Sequence, residues 1–375
     1  MTRLVVLSLE PWDDVWRRNQ YVVDGMLRAD PGLQVLFVEP SNDLLHSAVT
    51  SRRVRRGRGL RTAEGYEGRL HLLQPDKLLP RVAGPAADAL LRRAVRRAMR
   101  RLGFADAVLW VNDPSWAGLV QITGLPSMYD MTDDWLAAQR PDRELARIAA
   151  NERVLMAQCA AIVVCSEGLR ATRSAERDVV LIPNGVDVAR YRLPVERPGD
   201  LAERSAVYMG TLHEDRLDVD LVLATADALG PLGARVALVG PSALGAGNAR
   251  RLAEHPSVDL LGPRPSRAVP SYLQHATALI VPHVVDAFTD SLDPIKLYEY
   301  QAVGRPVVST RVAGFRDADD DLVTAVPRDG FPDAVADAVR RDPASVTLAD
   351  VPDWSVRVEA FQSVLEPLFG VSRRA

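Results

Sequence analysis

Short apolar runs alternate with amphipathic stretches along the whole chain, and the alternation stops once and then restarts. "RLVVLSL" (3–9) is followed by the helical pattern "VWRRNQYVVDGMLRAD" (15–30) and then by "LQVLFVEP" (33–40). "AADALLRRAVRRAMRRLG" (86–103) is amphipathic at helical spacing. "ADAVLWVND", "PSMYDMTDD", "CAAIVVCSEGL" and "VVLIPNGVD" (179–187) carry the strand series on. Val- and Leu-rich runs of this length read as strands buried on both faces. Joined through helices, they imply an α/β fold with a parallel sheet covered on both sides.

The break is the polar stretch "VARYRLPVERPGDLAER" (188–204), which holds two prolines and reads as an interdomain linker. Afterwards "SAVYMGTL" (205–212), "ARVALVGP" (234–241), "SVDLLG" (257–262), "ATALIVPH" (276–283) and "RPVVST" (305–310) repeat the pattern. A chain of 375 residues exceeds one ordinary core. The expected layout is a first Rossmann-like domain at 1–187, the linker, and a second doubly wound domain at 205–352. A C-terminal helix at 353–375 is expected to pack back toward the first domain. Two such sheets facing each other leave a cleft, and open parallel sheets bind ligands beyond the carboxyl ends of their strands.

Composition narrows the class. The chain is 47% hydrophobic and 25% charged with a net charge of −3, which implies no nucleic-acid partner. The charge is uneven: residues 52–101 hold 15 Lys and Arg against 4 Asp and Glu. Cys159 and Cys165 are too few for a disulfide framework and read as free thiols in a reducing cytoplasm. The start lacks a signal-peptide pattern, and no run approaches the roughly 18 apolar residues of a membrane span. The six histidines show no ligand spacing, so no catalytic metal is expected.

The stretch "SLDPIKLYEYQAVGRPVVST" (291–310) reads as loop, helix, turn and strand. Asp293 is expected to N-cap the helix with Pro294 at its first position, and Gly304 to close it. Lys296 and Glu299, three apart, share one helix face. A positive helix end with one cation and one carboxylate suits a ligand bearing phosphate and hydroxyls; a solvated ion pair is the bland alternative.

Several segments in order resemble the retaining nucleotide-sugar glycosyltransferases of the GT-B fold, family 4. They are "AAIVVCSEGL", "LIPNGVD", "YMGTLHEDR", "VDLLGPRPSRAVPSYLQHATALIVPH" and "DPIKLYEYQAVGRPVVST". "PWDDVWRRNQ" and "YDMTDDW" look like the teichuronic-acid-glycosyltransferase subgroup. The resemblance implies transfer of a sugar from a nucleoside diphosphate sugar of UDP or GDP type, without metal or other cofactor. It implies a glycan, lipid-linked or small-molecule acceptor. A nucleotide-sugar epimerase or hydrolase on the same fold, and a non-catalytic binding protein, are the alternatives.

The same resemblance assigns residues. Arg216 stands six after Gly210, where the family has a diphosphate-holding Lys, and Lys296 is a second cation for the leaving group. Glu299 matches the second acid of the family's Glu, seven residues, Glu pattern, and is implied to bind the ribose. The first acid is replaced by Ser291, beside Asp290 and Leu292. Gly210 and Thr211 are placed on the donor side, the glycine to admit the ligand. Arg264 either stacks on the base or is a turn residue. Asp133 and Asp134 contact sugar or acceptor, or else cap the helix "WLAAQR". Arg18 and Gln20 reach a phosphate or acceptor, or else form an ordinary helix turn. Asp218 and Asp220 mimic a metal-binding acid pair but lie at a helix start. The arginines of 86–103 and of "SRRVRRGRGLR" (51–61) suggest peripheral contact with an anionic membrane from the cytoplasmic side.

Overall fold

The computed structural model describes residues 2–43, 57–77, 85–341 and 350–372. The chain divides into two compact units: Met1–Pro183 with Trp354–Ala375, and Asn184–Asp353. In unit 1 the sheet strands are β1 (Thr2–Leu7), β2 (Leu33–Val38), β3 (Gly59–Thr62), β4 (Leu70–Gln74), β5 (Val108–Val111), β6 (Ser127–Met131), β7 (Ala161–Val164) and β8 (Val180–Leu181). Their spatial order is β8-β7-β6-β5-β1-β2-β4-β3. All pair in parallel except β3, which folds back antiparallel on β4 as a hairpin at the edge. That hairpin escapes a reading based on apolar runs, because β3 is polar and only half-buried.

Leu4 to Leu7 and Val108 to Val111 are fully buried, as strands covered on both faces must be. Each such side chain contributes about 1.5–3 kcal/mol on leaving water. Helix α1 (Arg18–Ala29) follows β1, and α2 (Pro85–Leu102) precedes β5. The apolar stripe of α2 faces the core through Val95, Ala98 and Met99. Helices α3 (Asp142–Gln158) and α4 (Glu167–Arg173) complete the strand ends; Ser166 caps α4 by accepting from the Leu169 N–H. The C-terminal helix, Trp354–Ser372, belongs to unit 1. It crosses α1 at Gly25, where a Cβ would sit 2.4 Å from a Val358 methyl. Its Phe361 stacks on Trp110 at 4.7 Å, and Trp354 stacks on Tyr21 at 5.0 Å.

Unit 2 has six parallel strands: β9 (Ser205–Met209), β10 (Arg235–Val239), β11 (Val258–Gly262), β12 (Ala278–Val281), β13 (Val307–Thr310) and β14 (Val323–Val326). The order is β11-β10-β9-β12-β13-β14. Its helices include α5 (Val188–Arg192), α6 (Val219–Leu229), α7 (Val269–Gln274), α8 (Ile295–Val303) and α9 (Phe331–Arg340). The stretch expected as a linker is instead built into this unit. Asp187 caps α5 by accepting from the Arg190 N–H, and Tyr191 is buried against the sheet and α7. One aromatic side chain outweighs the polar composition around it.

In both units the strand order reverses at the first strand, between β1 and β5 and between β9 and β12. Crossovers leave such a point on opposite faces, so its carboxyl end is an open crevice. In unit 1 that end carries Ser8 to Glu10 and Asn112; in unit 2 it carries Gly210 and His283.

Part of the basic excess at 52–101 is consumed by the fold. Arg58 and Arg61 both pair with the buried carboxylate of Glu39. Arg69 donates to the Leu27 and Asp30 carbonyls at the end of α1, where unpaired carbonyls favour a cation. Arg93, Arg96, Arg97, Arg100 and Arg101 are exposed on α2, with no ion pair among the described residues. Arg52, Arg53, Arg55 and Arg56 lie outside the described residues. Asp218 caps α6 by accepting from the Leu221 N–H and pairs with Arg328, so it serves the helix start. No helix among the described residues is long and apolar enough to cross a membrane.

Candidate functional site

The unit 2 crevice is built on glycine turns. Gly210 leaves β9 at φ +144, and a Cβ there would lie 2.7 Å from Lys296 Cε and 2.8 Å from its Nζ. Gly240, after β10, has φ +146, and its Cβ would fall 2.1 Å from the Gly210 carbonyl oxygen. Only glycine lets the two turns and the lysine occupy this space. Lys296, in the first turn of α8, donates to Tyr208 Oη at 2.9 Å and sits 4.2 Å from that ring's centroid. Tyr208 Oη is also 3.0 Å from His283 Nε2 and 3.2 Å from the Thr211 carbonyl oxygen.

Arg216 follows a two-residue ladder, Leu212–His213 with Ser242–Ala243. Its guanidinium lies 4.9 Å over the Phe288 ring, and its Nε is buried without a hydrogen-bond partner. No carboxylate is within ion-pair distance of Arg216 or Lys296 among the described residues. Burial pulls His283 well below the ordinary imidazole range, and Lys296, Arg216 and His213 lower it further. His213 is lowered by burial and then by Arg216, helped by Lys296. Both imidazoles are therefore held toward the neutral form at pH 7, beside Arg216 and Lys296. This pair, half-buried and without a carboxylate partner among the described residues, favours an anion.

Glu299 sits one turn beyond Lys296 on α8. One of its carboxylate oxygens accepts from the Tyr191 hydroxyl of α5. Burial pushes its carboxyl up; the Tyr191 hydrogen bond, Lys296 and Arg190 oppose this. Arg190 is fixed by Ser266. The expected capping role of Asp293 is not what forms: Pro294 occupies the N-cap position, and no side chain caps it. The Asp293 carboxylate accepts instead from the Asn184 N–H and from Tyr298 Oη at 2.7 Å. Gly304 closes α8 in the left-handed conformation, φ 66, as its position suggests.

Ser291, at the position of the missing acid, is buried, and its Oγ donates to the Phe288 carbonyl at 2.8 Å within its own turn. Asp290 pairs with Arg316. Leu292 and Thr211 are half-buried. Arg264 donates from Nε to Tyr272 Oη at 2.7 Å and pairs with Asp200. Its guanidinium is thereby anchored in place.

The unit 1 crevice is acidic. Asn112 accepts at Oδ1 from the Leu9 N–H at 3.2 Å and from Asn19 Nδ2 at 2.9 Å. Its Nδ2 donates to the Asp130 carbonyl at 3.0 Å, tying β1, β5 and β6 together. Glu10 lies beside this hub, with Oε2 buried and unpartnered and Arg17 at 3.7 Å. Burial pushes its pKa up to about 7, against Arg17 and with help from Asp133, Asp13 and Asp130. Asp133 accepts from Thr132 Oγ1 at 3.0 Å. Asp134 accepts from the Leu136 N–H at 3.2 Å and pairs with Arg173 at 3.1 Å. No α-helix starts there; the next begins at Asp142. Arg173 also reaches Glu152 at 3.5 Å, whose pKa burial lifts to about 7.

Arg18 and Gln20 turn inward rather than toward any ligand. Arg18 is 3% exposed, donates to both oxygens of Asp130 at 3.0–3.2 Å and lies 4.8 Å over Phe361. A buried guanidinium cannot leave its carboxylate cheaply. Gln20 is fully buried, donating to the Pro11 carbonyl at 2.7 Å and accepting from the Arg17 N–H at 3.1 Å.

The residues that sequence reasoning missed are Tyr208, His283, Tyr191 and Glu10. Each had a positional signal: Tyr208 two before the key glycine, His283 and Glu10 just past strand ends, Tyr191 as the lone aromatic of a polar stretch. Among the described residues no group of three or more His, Cys, Asp or Glu is placed to hold a metal ion.

Residues 203–341 match the family model described as glycosyl transferases group 1. The chain is similar to TuaH of Bacillus subtilis (strain 168), named for teichuronic acid biosynthesis as a glycosyltransferase, at 23% identity over 219 residues. That match covers 54% of this chain and 55% of the relative, so it spans about half the length of each. The fold is that of the apo structure of OtsA, with TM-score 0.70 at 12% identity over 98% of this chain and 99% of that one. Anabaena HepE, solved in complex with UDP-glucose, matches with TM-score 0.64 at 13% identity over 98% of this chain and 100% of its own. The architecture is therefore GT-B.

Proposed function

We propose that this chain, whose residues 203–341 match the model of glycosyl transferases group 1, moves a sugar from a nucleoside diphosphate sugar to an acceptor hydroxyl. The observation that carries this is the pair of unneutralised cations, Arg216 and Lys296, around the Gly210 turn at the switch point of unit 2. When the bond between anomeric carbon and phosphate oxygen breaks, its electron pair goes to the phosphate. Fixed cations stabilise that charge more in the transition state than in the ground state. Glu299 takes the ribose hydroxyls, since a carboxylate accepts from both of a cis-diol. Thr211 and Gly210 lie on the donor side, and Asp133 or Asp134 of unit 1 binds sugar or acceptor hydroxyls.

Finer points belong to the same proposal. The transfer retains anomeric configuration, and the acceptor proton leaves on the departing phosphate. The donor is of UDP type, as in the HepE complex, with GDP as the other choice. Cell-surface polysaccharide, lipid-linked or small-molecule acceptors fit the TuaH likeness. The reaction needs no metal, and the chain works in the cytoplasm. The exposed arginines of α2 attach it to anionic membrane, each cation contributing about 1 kcal/mol, screened by salt.

The test is a panel of nucleotide sugars, following nucleoside diphosphate release, thermal shift and product NMR, with and without chelator. Release from one donor, abolished in Lys296→Ala and Arg216→Ala, is expected. No release and no thermal shift with any donor overturns the reading. Salt-sensitive sedimentation with anionic but not neutral vesicles is expected for the membrane proposal; no binding at low salt refutes it.

A further inference from the structure

Lysine is a poor instrument for placing charge. Its four-carbon stem carries about 2 kcal/mol of rotamer entropy, and the ammonium has no preferred direction. A cation that acts in a transition state must be oriented beforehand, or the reaction pays the cost of orienting it. Among the described residues, Lys296 has no carboxylate to hold it. What touches it is Tyr208, through the hydroxyl at 2.9 Å and the ring face at 4.2 Å.

An ammonium can only donate, so Tyr208 Oη accepts from it. The hydroxyl's own proton then has two acceptors, the Thr211 carbonyl at 3.2 Å and, when neutral, His283 Nε2 at 3.0 Å. With its proton given to either of them, Oη still has a lone pair with which to accept from Nζ. Tyr208 is itself 2% exposed on the central strand β9, flanked by β10 and β12. Gly210, two residues on, clears the path along which the lysine stem reaches it.

We propose that Tyr208 is the positioning residue for Lys296, holding its ammonium over the Gly210 turn through both hydroxyl and ring. This rests on reading Lys296 as a diphosphate-facing cation, but its first test does not. The chain has two lysines, Lys77 and Lys296, so acylation of each by an amine-selective reagent can be followed separately by mass spectrometry. In the ligand-free full chain, Tyr208→Phe keeps the ring and deletes the acceptor. Lys296 should then acylate at least threefold faster relative to Lys77. An unchanged ratio overturns the proposal, whether or not the protein transfers sugar. Tyr208→Met, which deletes ring and hydroxyl together, should raise the ratio further and serves if the Phe variant does not fold.

The second test is a double-mutant cycle on turnover. Tyr208→Phe should lower kcat about tenfold with donor KM within twofold, and should cost nothing more in a Lys296→Ala background. Equal losses in both backgrounds mean that Tyr208 serves the fold alone, and the proposal fails. No turnover in the wild type would sink the function reading while leaving the acylation result to decide this one.

Discussion

The two crevices are made by the same topology and end with opposite charge. In unit 2, burial lowers the two imidazoles, His213 and His283, with Arg216 and Lys296 beside them adding to the effect. In unit 1, burial moves carboxyls toward the neutral form: Glu10 and Glu152 are both pushed up to about 7, and half-buried Asp113 is raised as well. Desolvation disfavours charge in both places. What differs is the groups it acts on: imidazoles beside Arg216 and Lys296 on one side, carboxyls on the other.

The sharpest break of that comparison is Asp130→Ala, which strands Arg18 in the unit 1 core. Breaking a buried pair costs about 3–5 kcal/mol. All six tryptophans lie in unit 1, so their fluorescence in a denaturant titration reads this unit alone. An unshifted midpoint would show that the pair does not anchor the crevice. In unit 2, Lys296→Ala and Arg216→Ala should each lower kcat by about two to three orders of magnitude. Wild-type turnover in both variants would remove the charge asymmetry from the mechanism.

Next in size, Glu299→Ala should weaken UDP binding by about 1.5–3 kcal/mol in calorimetry, the range for a hydrogen bond to a charged group. Unchanged affinity would leave the ribose unassigned. The smallest effect is a pH signature. Glu152 has a folded pKa above its unfolded one. Its stabilisation is therefore complete below about 4.5 and is lost as pH rises through about 7. Arg173, Asp134, Glu176 and Tyr129 are the ionisable groups that act on it. Glu152→Gln should stabilise unit 1 by on the order of 1–2 kcal/mol more at pH 8 than at pH 5. His283 has the opposite sign: its folded value is lowered, so unit 2 loses stability as pH falls below about 6.5. Parallel pH profiles for the two units would contradict the comparison.

Unit 2 was the more legible of the two in sequence, for a physical reason. Gly210, Lys296 and Glu299 take their places from local geometry: a strand end, a turn that needs positive φ, a helix face. The contacts that tune them are distant in sequence. Tyr208 and Lys296 are 88 residues apart, and Tyr191 and Glu299 are 108 apart. Arg18 read as reaching a phosphate or acceptor, or else as an ordinary helix turn, because Asp130, 112 residues on, gives no local sign. Asp293 followed the capping preference of its type and was outbid by Asn184 and Tyr298. The hairpin of β3 and β4 was lost because an edge strand need not be apolar.

The C-terminal helix sets an order of events. Its Phe361 covers Trp110, and its Val358 meets Gly25, yet the whole of Asn184–Asp353 is translated in between. A growing chain therefore exposes the first sheet, incompletely capped, during the synthesis of 170 residues that belong elsewhere. At about 5–20 residues per second this lasts roughly ten to thirty seconds. The nascent unit carries an open apolar seam along α1 through that interval, and chaperone demand on the ribosome should fall only after residue 361 emerges.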